Sequence, residues 1–283
     1  MKEKVKRFLH YLYISIKRPE IEILPGNLAF FFIMMLIPLL TILGVVVSNI
    51  DIGTSSLNDA LISNFPSNIA NLIMSMSGES SSAIGIGALL FVSLMLASKG
   101  TYSMIVTSNS VYGIKNSNII KNKIKSIILL IVLIILFTLL LLVPVISTKV
   151  LNFIATITKT DVATNLYFTL YKFFKYPITF LLVFIFVKIL YRYSLSMKAE
   201  VKTSYGAVFS SVLLVVVTWI YSFYIEYFST YETYFGGISS LLSLMLYLYL
   251  IAYIFVLGMN INFAREKTKE FEKVKEKIEK QEL

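Results

Sequence analysis

The chain has 283 residues, a formal net charge of +10, and a composition that is 57% hydrophobic but only 15% charged. This composition, with a mean hydropathy of +0.78, excludes an ordinary soluble domain and is typical of a membrane protein. The absence of cysteine excludes disulfides and thiolate chemistry, and a single histidine, His10, cannot supply a multi-histidine metal site. The positive charge does not require a nucleic-acid partner, because Lys and Arg accumulate on the cytoplasmic side of membrane proteins and meet anionic lipid there.

Six apolar stretches predict membrane-spanning helices, since about 20 apolar residues suffice for one crossing. We therefore predict an all-α, polytopic membrane protein with spans at 28–47, 83–106, 127–147, 176–191, 206–225 and 236–263. Residues 1–27 are predicted as an amphipathic helix that ends at Pro25-Gly26 and lies either on the inner leaflet or against the protein. Residues 264–283 are predicted as a charged cytoplasmic tail.

Two connections between the predicted spans are long. Residues 48–82 contain three acidic residues and no Lys or Arg, and their apolar residues recur every three or four positions. This pattern predicts short amphipathic helices on the outer surface or a re-entrant segment, and the sequence does not distinguish them. Residues 148–175 are predicted as a mixed outer loop with amphipathic character.

The distribution of Lys and Arg predicts the orientation in the membrane. With both termini in the cytoplasm, 21 of the 26 Lys and Arg residues fall on the cytoplasmic side, and four fall outside, all within 148–175. Such an excess follows the positive-inside rule. We therefore predict cytoplasmic N- and C-termini, and contact of the basic face with anionic membrane lipids. The sequence indicates no nucleic-acid partner and no particular oligomeric state.

Lys99 is the one basic residue well inside a predicted span. A charge at the centre of a membrane costs about 2.5–3.5 kcal/mol on insertion scales, so such residues usually face the bundle or water. Lys99 lies roughly 10 Å along the helix from the predicted span end at Val106, at 1.5 Å per residue. Two interpretations stay open: snorkelling or structural pairing, and contact with an anionic substrate or lipid. Small residues on one side of the same helix predict close packing, namely Ser93, Ala97, Gly100 and Thr107.

Other polar residues in or beside the spans are candidates for a polar cavity. Glu226 is the carboxylate next to a span interior, and the uncharged candidates are Asn109, Ser240, Ser243, Tyr247, Asn260 and Asn262. Hydrogen bonding between helices explains such residues as well as a cavity lining does, because it is common in membrane bundles.

Catalytic clusters are missing from the sequence pattern. Metal-assisted phosphoryl hydrolysis requires clustered carboxylates or histidines, whereas the three Asp residues all fall in predicted outer loops. No Gly-Lys-Ser/Thr phosphate-binding loop is present, which argues against ATP-driven transport by this chain alone. We therefore predict no enzymatic activity, no metal and no cofactor.

Five segments carry a resemblance to a known family: 28–40, 97–113, 205–207 followed by a tryptophan, 234–236 and 258–262. The characteristic residues within them are Pro38, Tyr112, Gly113, Gly206, Trp219, Tyr234, Gly236 and Gly258. On these residues the chain resembles the YihY/BrkB family of bacterial inner-membrane proteins, once linked to ribonuclease BN, over nearly its whole length. Two departures stand out. Asn260 occupies a position where the family commonly has Glu, and Lys99-Gly100 occupies one where Arg is frequent.

The resemblance implies six membrane helices in the bacterial cytoplasmic membrane and work on the cell envelope. The leading hypothesis is a transporter or a protein that handles lipids or other envelope components. The alternative is a non-transporting scaffold that binds an envelope partner through residues 48–82 and the basic tail. Ribonuclease activity fits badly with the residues present.

Overall fold

The computed structural model describes residues 2–48, 83–114, 118–158, 161–196, 201–228 and 237–281. These residues are helical apart from short connections, and the helices are α1 (Lys2–Ile16), α2 (Pro19–Ser48), α3 (Ala83–Val111), α4 (Ile119–Thr158), α5 (Asp161–Ser194), α6 (Ser204–Phe228) and α7 (Gly237–Gln281). The predicted all-α fold is confirmed. Residues 49–82, whose surface or re-entrant nature the sequence left open, lie outside the described part of the chain, as do Tyr234 and Gly236.

Several of these helices have the length and composition of a membrane span. Within the described residues, four such segments are Ile119–Leu139, Pro177–Ser194, Ser204–Tyr224 and Leu242–Glu279. A fifth results if α1 and α2, which are bent by 63° relative to each other, form one broken span. The chain is therefore a polytopic membrane protein. Six crossings with cytoplasmic termini stay a prediction, although each predicted span coincides with one of the helices α2–α7, apart from residue 236.

The six long helices of the described part of the chain pack in a closed ring. Each of α2 to α6 packs against the next helix in the chain, and α7 closes the ring by packing on both α6 and α2. α1 packs mainly on α7. Apolar residues from α2, α3, α4, α5, α6 and α7 meet in one buried cluster.

The predicted stripe of small residues on α3 is confirmed as a packing surface. Ser93, Ala97, Gly100 and Thr107 are all buried. A Cβ added to Gly100 would overlap the Met35 side chain of α2 and lie 2.9 Å from its Cβ. The missing side chain therefore allows α2 and α3 to approach closely, as small residues do in membrane bundles.

The predicted helix end at Pro25-Gly26 is wrong. α1 ends earlier, at Ile16, and α2 begins at Pro19 and continues through Pro25 and Pro38. A proline fits the first position of a helix because its missing N–H would have no helical partner there. Pro25 removes one hydrogen bond inside α2, but it is buried in the bundle, where packing supports the helix.

The predicted loop at 148–175 is also wrong. α4 runs to Thr158 and α5 begins at Asp161, so most of this segment is helical. The sequence contains neither Pro nor Gly between Pro144 and Pro177, so it lacks the residues that most often end a helix. The 40 residues of α4 correspond to a helix of about 60 Å, and the 45 residues of α7 to one of about 68 Å. Both exceed the roughly 30 Å hydrocarbon core of a bilayer and must extend beyond it.

Candidate functional site

Buried polar residues concentrate at the end of the bundle that the sequence predicts to be cytoplasmic. Those that adjoin a predicted cytoplasmic segment are Ser15, Ser108, Asn109, Asn122, Ser194, Thr203, Asn260 and Asn262. Asn260 and Asn262 lie inside α7, and the others lie near a helix end. Helix ends leave backbone groups without partners in their own helix, and buried groups of this kind need partners from elsewhere. The polar side chains at this end supply several of them.

Asn262 joins α7 to the first turn of α6. The backbone N–H of Gly206 donates to the Asn262 side-chain oxygen at 2.7 Å. This N–H belongs to the first turn of α6, where it has no partner within the helix. A Cβ added to Gly206 would overlap the Gly258 carbonyl, so the two helices touch through glycine. The two family-like glycines therefore act in packing.

Tyr191 of α5 completes this contact and was not predicted from the sequence. It is fully buried, and its hydroxyl lies 2.6 Å from Ser210 Oγ of α6. The same hydroxyl donates to the Phe255 carbonyl of α7 at 3.1 Å. A Cβ added to Gly258 would overlap both this phenol and Ser210. Tyr191 thus links α5 to α6 and α7 at one point. The residues beside it in the sequence do not predict this role.

Asn260 uses both ends of its amide in hydrogen bonds. Its oxygen accepts from Ser15 Oγ of α1, and its nitrogen donates to the Val256 carbonyl at 2.8 Å. The residue is fully buried. This geometry corresponds to the helix-bonding interpretation that the sequence left open for Asn260.

Asn109 belongs to a second buried network. Its side-chain oxygen accepts from the Ser196 backbone N–H at 3.0 Å, and its nitrogen donates to Ser196 Oγ at 3.2 Å. Ser196 Oγ in turn donates to Asn122 Oδ1 of α4 at 3.1 Å. The network ties α3, α4 and the segment after α5 together. Ser196 and Asn122 were not predicted, because their pairing depends on the tertiary contact.

Tyr112 and Gly113 end α3. Gly113 has a φ of 69°, the left-handed conformation that glycine adopts without strain, and the Ile114 N–H bonds back to the Asn109 carbonyl at 2.9 Å. The Tyr112 ring packs edge-on against Phe263 of α7, with ring centres 5.4 Å apart. Burial raises the pKa of the Tyr112 phenol. This part of the family-like motif therefore forms a helix end docked on α7.

Lys99 lies at a cleft between α3 and α4, which we call the lysine cleft. It has a volume of about 260 Å³ and is lined by Ser98, Lys99, Tyr102, Ile119, Lys123 and Ser126. Both lysines are exposed. The lysine cleft therefore opens on the outer surface of the ring, and its lining includes neither Asn109 nor Asn260.

The remaining candidates lie toward the other end of α6 and α7. Tyr247 stacks on Tyr221 with ring centres 4.3 Å apart, and its hydroxyl lies 2.9 Å from Thr218 Oγ1. Ser243 is partly buried, and Trp219 is 70% exposed on the outside of α6. The side chains of Glu226 and Ser240 lie outside the described residues. Tyr247 thus contacts α6, whereas no described geometry joins it to Lys99.

A second cavity, which we call the tail cavity, was missed by the sequence interpretation. It has a volume of about 180 Å³ and is lined by Lys202, Asn262, Arg265, Glu266, Lys269, Glu270 and Lys273. The sequence interpretation treated the α7 members beyond residue 263 as a solvated tail. Their spacing of three and four residues, continuing from Asn262, places them on one helix face and was the signal that could have found them.

Comparison with known proteins identifies the family. The family model described as virulence factor BrkB matches residues 15–282. The chain belongs to the BrkB family. This BrkB-family chain is also 24% identical over 267 residues to the ribonuclease-like protein YfkH of Bacillus subtilis (strain 168), covering 93% of this chain and 96% of that protein. No solved structure gives a significant match to it. The resemblance drawn from the sequence is therefore confirmed.

Proposed function

We propose that this BrkB-family protein is a transporter or lipid-handling protein of the bacterial cytoplasmic membrane, and that an anionic lipid or envelope component enters its lysine cleft. The observation that carries the proposal is the pair Lys99 and Lys123 in a cleft on the outer surface of an apolar helix ring. Basic pockets between membrane helices on the cytoplasmic side are suited to anionic lipid head groups. The hydroxyls of Ser98 and Tyr102 add hydrogen-bonding groups to the same cleft.

The surroundings of the lysine cleft support a ligand that is partly embedded in the membrane. Phe91, Met95 and Leu96 on α3 and Ile127 and Ile128 on α4 are exposed on the outside of the bundle. These side chains lie one to two helical turns from the two lysines and provide an apolar surface for acyl chains. A charged head group beside an apolar wall is the chemistry of an amphipathic lipid.

Reconstituted vesicles test this proposal. Purified protein in phosphatidylcholine vesicles is expected to accelerate the transbilayer movement of fluorescent phosphatidylglycerol relative to protein-free vesicles. Lys99→Gln and Lys123→Gln are each expected to weaken the binding of phosphatidylglycerol to the purified protein about five-fold. The reason is that one lysine near an anionic surface contributes about 1 kcal/mol. Lys121→Gln is the matched control, because Lys121 is exposed on α4 but does not line the cleft. Equal rates with and without protein, together with equal lipid binding by all variants, would contradict the proposal.

A nuclease role is the less supported candidate, although the Bacillus relative carries a ribonuclease-like name. Within the described residues, no group of three or more His, Cys, Asp or Glu side chains is placed to hold a metal ion. We therefore infer that this chain is not an enzyme. Incubation of the purified protein with labelled RNA and Mg²⁺ tests the inference, and cleavage that follows the protein through purification would overturn it.

A scaffold role is favoured by a different observation. Exposed apolar side chains lie on α1 and on the charged part of α7: Val5, Leu9, Phe271, Val274 and Ile278. Such an apolar surface suits binding to a partner or to the inner leaflet. Photo-crosslinking from Val274 in cells tests this alternative, and crosslinks to lipid alone would count against a protein partner.

A further inference from the structure

The tail cavity contains more positive charge than its own carboxylates balance. Lys202, Arg265, Lys269 and Lys273 contribute four cations, against Glu266 and Glu270. One of these carboxylates is already engaged, because Glu270 pairs at 2.7 Å with a lysine that does not line the cavity, Lys267. The ion pairs between described residues include none of the four cavity cations. Among the described residues, the cavity therefore holds a local excess of positive charge.

The cations are close enough to influence each other. Partial desolvation lowers the pKa of Lys269, and the neighbouring charges of Lys202 and Arg265 lower it further. Arg265 and Lys269 lie on α7 beyond residue 263, in the segment that the sequence predicts as a charged cytoplasmic tail. Like charges held together in this way favour a bound anion, which relieves their repulsion.

Two buried hydrogen-bond donors at the tail cavity lack partners within the described part of the chain. They are the Asn262 side-chain nitrogen and the Arg265 Nε. Asn262 is 1% exposed, and its oxygen is held by the Gly206 N–H at 2.7 Å. The Arg265 guanidinium lies over the Tyr205 ring in a cation–π contact, with its central carbon 3.0 Å from the ring centre. Both donors are therefore fixed by neighbouring contacts, and each can donate a hydrogen bond to a bound anion or to water.

Glu266 weighs against a bound anion only if it is ionised. One of its side-chain oxygens is buried and has no partner among the described residues. Burial raises the pKa of its carboxyl and so does the nearby Glu270, whereas the charges of Lys267 and Lys269 lower it. An ionised Glu266 removes one unit from the positive charge of the cavity, and its four Lys and Arg residues still outnumber its two carboxylates.

We propose that the tail cavity binds a phosphate-bearing anion at the cytoplasmic end of α7. Lysine ammonium groups at the rim and fixed Asn262 and Arg265 donors at the base match an anion that accepts hydrogen bonds from several directions. Its volume of about 180 Å³ is several times the ~30 Å³ share of one water molecule in the liquid. This binding site lies on different helices from the lysine cleft, and it does not depend on the transport or lipid handling proposed above.

Equilibrium dialysis with radiolabelled inorganic phosphate tests this site, with full-length protein in neutral detergent and ionic strength held constant with chloride. Lys269→Gln and Lys202→Gln are each expected to weaken phosphate binding about ten-fold, since each removes a charge-assisted contact. Lys275→Gln is the matched control on the same helix, because Lys275 pairs with Glu279 at 3.5 Å outside the cavity. It is expected to change the Kd less than two-fold. Absence of saturable binding, or equal weakening by Lys275→Gln and Lys269→Gln, would overturn the proposal.

A competition experiment then identifies the source of the phosphate group. If soluble dihexanoyl phosphatidic acid displaces phosphate and its Kd is at least ten-fold lower than that of phosphate, the site is assigned to a lipid head group. Equal or weaker competition assigns it to a soluble phosphate-bearing molecule, and both outcomes require the site itself. The tail cavity is tested by phosphate binding with the Lys202 and Lys269 variants, whereas the lysine cleft is tested by lipid movement with the Lys99 and Lys123 variants. Failure at one site is therefore distinguishable from failure at the other.

Discussion

At the scale of single residues, the three asparagines that the sequence marks as candidates differ in how their buried amides are used. Asn109 and Asn260 engage both the oxygen and the nitrogen, whereas the Asn262 nitrogen has no partner among the described residues. An amide both accepts and donates, but an ionised carboxylate only accepts. A carboxylate at position 260 could accept from Ser15 but could not donate to the Val256 carbonyl. The amide therefore suits this packing, and of the three asparagines Asn262 has the donor available for a ligand.

Glycine substitutions test the close approach of α6 and α7. Gly258→Ala is expected to lower the free energy of unfolding by about 1–3 kcal/mol, because the added Cβ would overlap Ser210 and Tyr191. Gly26→Ala in α2 is the matched control, since its Cβ meets nothing within 4 Å. This control should stabilise the protein by roughly 0.5–1 kcal/mol through helix propensity. Unfolding in detergent with increasing denaturant measures both, and two variants of equal stability would contradict the contact.

At the scale of elements, α7 is one helix in two environments. Its first part packs in the apolar ring, and its charged continuation holds α1. Lys4 pairs with Glu272 at 2.6 Å, and Arg7 lies 4.5 Å from the centre of the Phe271 ring. Exposed ion pairs contribute little, and an exposed cation–π contact about 0.5–1 kcal/mol. The N-terminal part of α1 is therefore held by weak contacts, whereas Ser15 near its other end is held by the buried hydrogen bond to Asn260.

Hydrogen exchange measures how firmly α1 is held. Phe271→Ala is expected to speed amide exchange in α1 about two- to five-fold, because it removes a contact of about 0.5–1 kcal/mol. Ile278→Ala is the control, since Ile278 is 50% exposed and lies two turns further along α7. Exchange in α3 should be unchanged in both variants. Similar effects of the two substitutions on α1 would contradict the docking of α1 through Phe271.

The elements also show how far the sequence alone leads. Hydropathy located all six long helices, because apolar length is a property of local sequence. It did not locate the ends that extend into water, such as Thr158 and Asp161, because only a break or a cap marks them. The start of α4 has such a mark, since Asn118 Oδ1 accepts from the Ile120 N–H at 3.0 Å. Pairings such as Tyr191 with Ser210 depend on the tertiary fold and have no local signature.

At the scale of the whole molecule, both cavities lie near the end that is predicted to be cytoplasmic, but on different sides of the ring. The lysine cleft lies between α3 and α4, and the tail cavity lies between α7 and the connection before α6. Positive charge at this end follows the same excess that predicts the orientation. A ligand of either cavity would therefore come from the cytoplasmic side or the inner leaflet, if the predicted orientation is correct.

Cysteine labelling tests that orientation directly, because the chain contains no cysteine and single substitutions give an unambiguous signal. Thr160→Cys, between α4 and α5, should react with a membrane-impermeant maleimide in intact cells. Glu276→Cys, near the end of α7, should react only after permeabilisation, since the positive-inside rule places the basic tail in the cytoplasm. Labelling at Glu276→Cys in intact cells would show that the tail lies outside the cytoplasm, opposite to the predicted orientation. If both cysteines react only after permeabilisation, the connection between α4 and α5 lies on the cytoplasmic side. The four lysines of residues 148–175 then add to the positive charge on that side.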